Sequence, residues 1–260
     1  MNILLSHPNI SVIQLPASLI TGNIDLARRG SGSRRPPKLA LRVLDLSICR
    51  YLSDAGLARL LRLTDGQSLR ELTLSHSFLL FTGLSAKIGR TRLIGLETLC
   101  LNCCFKMTDA GLVSVLNNVG GECLRNLDLR GTNISLANAE TMLGAHVGFP
   151  VLEELHLSFC SKLTDAGLLA ILGRIGPRLK RLQLGRTNLT LANMNRLEEE
   201  IRFPLLEGLG LLECSNLVEA GVWALLARTG ESLAELSITQ RNFAESIKKR
   251  MPRLMVHRFS

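Results

Sequence analysis

No stretch of the 260-residue chain reaches the roughly 18 uncharged apolar residues that a membrane-spanning helix requires. The first residues, MNILLSHPNISVIQ, lack both a positive segment ahead of an apolar run and a clear cleavage site, so a secretory signal is not expected. The seven cysteines are odd in number and form no clusters flanking the body, which argues against a disulfide framework. Together these absences point to a soluble protein of a reducing compartment, cytoplasmic or nuclear.

Acidic residues are scarce only at the two ends. Residues 1–40 hold five Lys or Arg against one acid, and residues 241–260 hold six against one. The formal charge of +9 therefore sits at the termini, while residues 41–240 carry twenty charges of each sign. A neutral body gives no broad electrostatic footprint for nucleic acid, and neither nucleic acid nor a membrane is expected as a partner. With 46% hydrophobic residues, the chain can bury a sizeable core in one domain or at most two.

What the chain does have is repetition. The spacing L-x-x-L-x-L begins at Leu41, Leu69, Leu96, Leu124, Leu152, Leu179, Leu206 and Leu233, in steps of 27 or 28 residues. In LEELHLSFC, Leu155 and Leu157 alternate with Glu154, His156 and Ser158, the period of a short strand with one apolar face. In LTDAGLLAILGRIG the period changes: Leu168, Ile171, Leu172 and Ile175 form one helical stripe. Thr164 stands at the N-cap position and Asp165 at the positive end of the helix dipole; Gly176-Pro177 is the expected stop. One such unit cannot bury both apolar faces, whereas stacked copies can.

A second order overlies the first. CRYLSDAGL, CFKMTDAGL, CSKLTDAGL and CSNLVEAGV recur in the units that begin at 41, 96, 152 and 206. The units at 124 and 179 carry TNISLAN and TNLTLAN instead, and the unit at 69 is a diverged relative. The true period is a pair of about 55 residues.

The pattern L-x-x-L-x-L-x-x-C-x-x-L-[ST]-D-x-G-L resembles the cysteine-containing leucine-rich repeats best known from F-box/leucine-rich-repeat proteins. The two-type alternation is similar to ribonuclease-inhibitor-like repeats, which also occur in cytosolic immune sensors. The resemblance spans residues 41–260. It implies an α/β leucine-rich-repeat solenoid, a right-handed horseshoe with parallel strands on the concave face and helices on the convex face. It also implies a non-enzymatic role in binding proteins, including that of substrate-recognition subunit in an SCF-type ubiquitin ligase.

One position falls three residues after the last strand leucine of every unit: Cys49, Ser77, Cys104, Thr132, Cys160, Thr187, Cys214 and finally Arg241. Small hydrogen-bonding residues at a turn can serve the backbone groups left there, so a structural ladder is expected. No metal site is expected from Cys100-x-x-Cys103 and Cys104, because the repeat places them differently and no second pair stands at zinc spacing. Cys100, Asp128 and His156 form a row on successive strands, but cysteine and histidine would lie about 9–10 Å apart, beyond hydrogen-bond reach. Catalytic residues and cofactors are accordingly not expected.

A partner surface is expected on the strand face and adjoining loops of the fourth to sixth units: Arg130, His156, Ser158, Phe159, Arg181, Gln183 and Arg186. Residues 1–40 form an irregular segment in which Ile10, Ile13 and Leu15 mimic a degenerate cap, and ARRGSGSRRPPK reads as a basic linker. LPASLI resembles the opening of an F-box, but the following TGNIDLARRGSGS does not continue its helices, so docking to an Skp adaptor is not expected there. Met251, Leu254 and Val256 mimic the strand spacing again and read as a C-terminal cap.

Overall fold

The computed structural model describes residues 11–14 and 38–257, except 89–90, 120, 139–142 and 145–146. The segment read as an F-box opening and nearly all of the basic linker lie outside the described residues. Ten short strands run in chain order through one sheet: β1 (Val12–Gln14), β2 (Val43–Asp45), β3 (Glu71–Thr73), β4 (Thr98–Cys100) and β5 (Asn126–Asp128). They continue as β6 (Glu154–His156), β7 (Arg181–Gln183), β8 (Gly208–Leu211), β9 (Glu235–Ile238) and β10 (Met255–His257). Every pairing is parallel, and β1 and β10 are the two ends of an open sheet.

The register places one leucine of each unit opposite its counterpart: Leu44, Leu72, Leu99, Leu127, Leu155, Leu182, Leu209 and Leu236. Ile13 of β1 and Val256 of β10 extend the file at either end, and all ten side chains are buried. Each fully buried side chain of this size contributes about 1.5–3 kcal/mol relative to exposure. This is an α/β repeat fold of the solenoid kind, with strand–turn–helix units stacked side by side along one open parallel sheet.

Helices follow the cysteine-bearing turns: α1 (Asp54–Leu63), α3 (Asp109–Val119), α4 (Asp165–Leu172) and α5 (Glu219–Leu226). Among the described residues, the second unit has the short α2 (Leu84–Ile88) and the sixth a 3-10 turn at Met194–Arg196. The last, α6 (Arg241–Arg250), leads into β10. Ser53, Thr108 and Thr164 cap α1, α3 and α4 by accepting from the amides of Gly56, Gly111 and Gly167. The helix expected to reach Gly176 stops at Leu172, because Arg174–Gly176 turn to pair with the preceding unit. There the Phe149 amide donates to Arg174 O and the Gly176 amide to Phe149 O.

The aspartate of the motif does more than meet a helix dipole. Asp109 accepts from the amide and hydroxyl of Ser135, at 2.8 and 2.5 Å, in the next unit. Asp165 likewise accepts from the amides of Thr190 and Leu191 and from the Thr190 hydroxyl, and Asp54 accepts from the Phe81 amide. The glycine looks the other way. A Cβ on Gly111, Gly167 or Gly221 would sit 2.1, 2.3 or 2.2 Å from a carbonyl oxygen of the preceding unit. The cysteine-type units thus clamp the following unit with a carboxylate, at Asp54, Asp109 and Asp165, and lie flush on the preceding one through a missing side chain, at Gly111, Gly167 and Gly221.

Opposite the sheet, Phe149 and Phe203 are fully buried, and two arginines hold the loops beside them. Arg174 donates to the carbonyls of Leu143, Gly144 and Val147, and Arg228 to those of Leu197, Glu198 and Ile201. In urea melts, Leu168→Ala is expected to cost about 2–5 kcal/mol, and Thr164→Ala about 1 kcal/mol through its cap. Gly167→Ala separates packing from propensity. An ordinary helical Gly→Ala change stabilises by up to about 1 kcal/mol, whereas here the methyl meets backbone and a loss of about 1–3 kcal/mol is expected.

Candidate functional site

The turn that follows each strand has one fixed feature. The residue just before each ladder position has a left-handed backbone: Ile48, His76, Cys103, Gly131, Phe159, Arg186 and Glu213, with φ between 55° and 65°. In the first six, the amide donates to a carbonyl of the next unit, as Phe159 does to Gly185 O at 2.8 Å and Arg186 to Leu212 O at 2.7 Å. The seventh, Glu213, donates to the Thr239 hydroxyl, because the chain there enters α6. This geometry turns each side chain outward at the end of the sheet, where Ile48 and Phe159 are about half exposed.

Behind that row lie Cys49, Ser77, Cys104, Thr132, Cys160, Thr187 and Cys214, all buried. Their contacts run in pairs. Cys104 donates to Leu74 O at 3.2 Å and touches the Ser77 hydroxyl at 3.4 Å. Cys160 repeats this with Leu129 O and Thr132, and Cys214 with Leu184 O and Thr187. The hydroxyls of Thr132 and Thr187 donate to the same two carbonyls. One carbonyl thus accepts from both residues of a pair, which ties each hydroxyl-bearing unit to the cysteine unit after it. Arg241 instead begins α6 and pairs with Glu245 at 2.9 Å, while the Gln240 amide caps Cys214 O.

On the sheet face, Cys100 pairs in register with Asp128, and Asp128 with His156. Asp128 is not the open acid that the alternation predicts: it is 5% exposed and wrapped by Arg130, whose amide, Nε and Nη2 all donate to it. That carboxylate raises the Arg130 guanidinium further above its ordinary value. Burial, reinforced by Asp128, pushes the Cys100 thiol up, so the thiolate is disfavoured. His156 Nε2 lies 3.2 Å from Glu154 Oε2, which also accepts from Asn126 Nδ2. No cluster of three or more metal-ligating side chains occurs among the described residues.

The expected partner surface divides in two. Arg130 folds back onto the sheet, His156 and Ser158 are half-buried, and Arg181 is exposed. Gln183 leans over Gly210, its Oε1 occupying the place that a Cβ there would take. Arg186 lies 5.0 Å from the centroid of the Phe159 ring and 2.5 Å from Glu213, joining three successive left-handed positions in one chain. Glu213 was missed by sequence reasoning because its role depends on the left-handed turn, and no residue type marks that turn.

No family model matches the chain. The "Antagonist of mitotic exit network protein 1" of Eremothecium gossypii is 36% identical over 124 residues, covering 47% of this chain. The matched region spans only 30% of that relative's length. The solved structure described as "Crystal structure of Rad7 and Elc1 complex in yeast" is similar over 84% of this chain and 75% of that one, with a TM-score of 0.44 and 16% identity. At that distance the likeness carries no functional meaning.

Burial also raises the thiols of Cys49, Cys104 and Cys160. In the unfolded chain these cysteines ionise near their ordinary value of about 8.5, while the fold still holds them protonated. Their contribution to stability is therefore complete below that pH and is lost as pH rises toward the folded-state values. Urea midpoints are expected to fall between pH 8 and pH 10, and Cys160→Ser, which keeps a donor for Leu129 O, should flatten that fall.

Proposed function

We propose that the chain is a non-enzymatic protein-interaction scaffold presenting its open sheet face and trailing turns to a partner protein. The carrying observation is the Phe159–Arg186–Glu213 chain on the turns, together with exposed Arg181 at the start of β7. An aromatic ring and an arginine, residue types that dominate interface energetics, stand on turns fixed by backbone hydrogen bonds, and a second arginine opens strand β7. Such a surface binds with little ordering cost, because its backbone is already set.

The row of Cys100, Asp128 and His156 supports this reading rather than catalysis. A nucleophilic cysteine needs a lowered pKa and an adjacent base, whereas this thiol is pushed up and its neighbour is an acid held by arginine. We place the scaffold in the cytoplasm or nucleus, where free thiols persist. Its overall form is a right-handed horseshoe with the sheet inside, in keeping with the handedness that parallel strand–helix–strand crossovers favour. The finer assignment is a substrate receptor of an SCF-type ubiquitin ligase. It draws on the repeat pattern and on the relative named "Antagonist of mitotic exit network protein 1". The pairing of unit types favours a second reading, a ribonuclease-inhibitor-like recognition module.

Affinity purification with mass spectrometry tests the surface. A protein carrying Arg181→Glu and Phe159→Ala, both exposed and outside the core, should melt close to the parent and lose about tenfold or more of at least one partner. An unchanged partner set would remove this surface from the reading.

A further inference from the structure

The two rims of the sheet differ in charge. Ahead of the strands, Arg70, Glu97, Arg125, Glu153, Lys180 and Glu207 alternate in sign along successive units. Arg70 pairs with Glu97 at 3.4 Å, and Glu153 takes both Arg125 at 2.6 Å and Lys180 at 2.7 Å. Hydrogen bonds from Lys180 and then Arg125 hold the Glu153 carboxyl below its ordinary range. The rim beyond the strands has no such balance. Six successive turns each carry a basic residue or histidine and no acid: Arg50, His76, Lys106, Arg130, Lys162 and Arg186, all exposed.

The same rim holds the exposed aromatics Tyr51, Phe78, Phe105 and Phe159, while Phe81, Phe149 and Phe203 are buried. Between its turns lies a cleft of about 530 Å³, lined in part by Phe105, Lys106, Asn133 and Lys162. Asp109 also borders it, but both its oxygens are engaged by Ser135. Of the basic side chains, Arg130 is neutralised by Asp128 and Arg186 by Glu213; Arg50, Lys106 and Lys162 form no ion pair among the described residues.

We infer that this rim docks an acidic, extended peptide segment of a partner protein. The inference deepens the scaffold reading and rests on it. Three cations on alternate units lie about 9.6 Å apart at a strand spacing of about 4.8 Å. A segment in the extended polyproline II conformation, with three residues per turn and a rise of about 3.1 Å per residue, presents every third side chain on one face about 9.3 Å along, so carboxylates at three-residue intervals meet them. Apolar residues between the carboxylates meet Phe78 and Phe105. The rings favour a peptide over a nucleic acid. Lys106 lies 5.2 Å from the centroid of Phe78 and Arg186 5.0 Å from that of Phe159, so ring faces that would stack on bases are met by the protein's own cations.

Fluorescence anisotropy with the full chain tests this directly. The probe is a labelled dodecapeptide with glutamate at every third position and leucine between, compared with its lysine counterpart and with a single-stranded oligodeoxynucleotide. The glutamate peptide should bind, weaken as salt rises, and lose about tenfold or more in affinity to Lys106→Glu/Lys162→Glu, with the melt unchanged. Phe105→Ala should weaken it without altering the salt slope. Absence of peptide binding, equal binding by the double variant, or preference for the oligonucleotide would each overturn the rim assignment. If partners captured by the parent are also captured by the double variant, the rim assignment fails while the scaffold reading stands.

Discussion

Everything in this fold depends on a chain reversal that must look the same in every unit. A strand can pair with its neighbour in constant register only if each chain leaves the sheet by the same route. The left-handed residue before each ladder position fixes that route, and its amide fastens it to the next unit. Six of the seven residues there are not glycine, although a left-handed backbone costs such residues roughly 1–2 kcal/mol each. The leucine file and the amide hydrogen bonds outweigh that cost. What remains is a row of side chains whose direction is decided by backbone geometry.

Stacking is also directional. Asp54, Asp109 and Asp165 reach toward the C-terminus, into the loop of the following unit. Gly111, Gly167 and Gly221 rest on the loop of the preceding one. The thiols of Cys104, Cys160 and Cys214 add a third link, to a carbonyl of the unit before. Two kinds of unit are needed because one supplies the carboxylate and the other supplies the amides and hydroxyls that meet it. In the seventh unit Val218 and Glu219 replace Thr and Asp, and Glu219 turns to Trp223 Nε1 instead. No hydroxyl-bearing unit follows there to be clamped.

Much of this was legible in the sequence, because leucine spacing reports the register directly. Strand positions and the cap at Thr164 follow from period and residue type. The far ends of the helices do not: α4 stops at Leu172 although its apolar stripe runs on to Ile175, since a pairing with Phe149 takes over. Charges were the least legible. Asp128 reads as an open surface acid until Arg130, two residues away, is seen folded onto it. Arg174 and Arg228 stand out by no motif, yet they hold the carbonyls of loops one unit away. The roles of these two arginines depend on residues 27 to 31 positions distant, where periodicity shows adjacency but not which groups meet.

The forward-reaching aspartate and backward-resting glycine also constrain how such a chain can grow. A single added unit would set two of one kind side by side, leaving a buried-side carboxylate without amides or a glycine without a loop to receive it. A duplicated segment of two units meets neither problem, since both of its junctions reproduce contacts already present. Lengthening by pairs is therefore the mutational path of least resistance for this architecture.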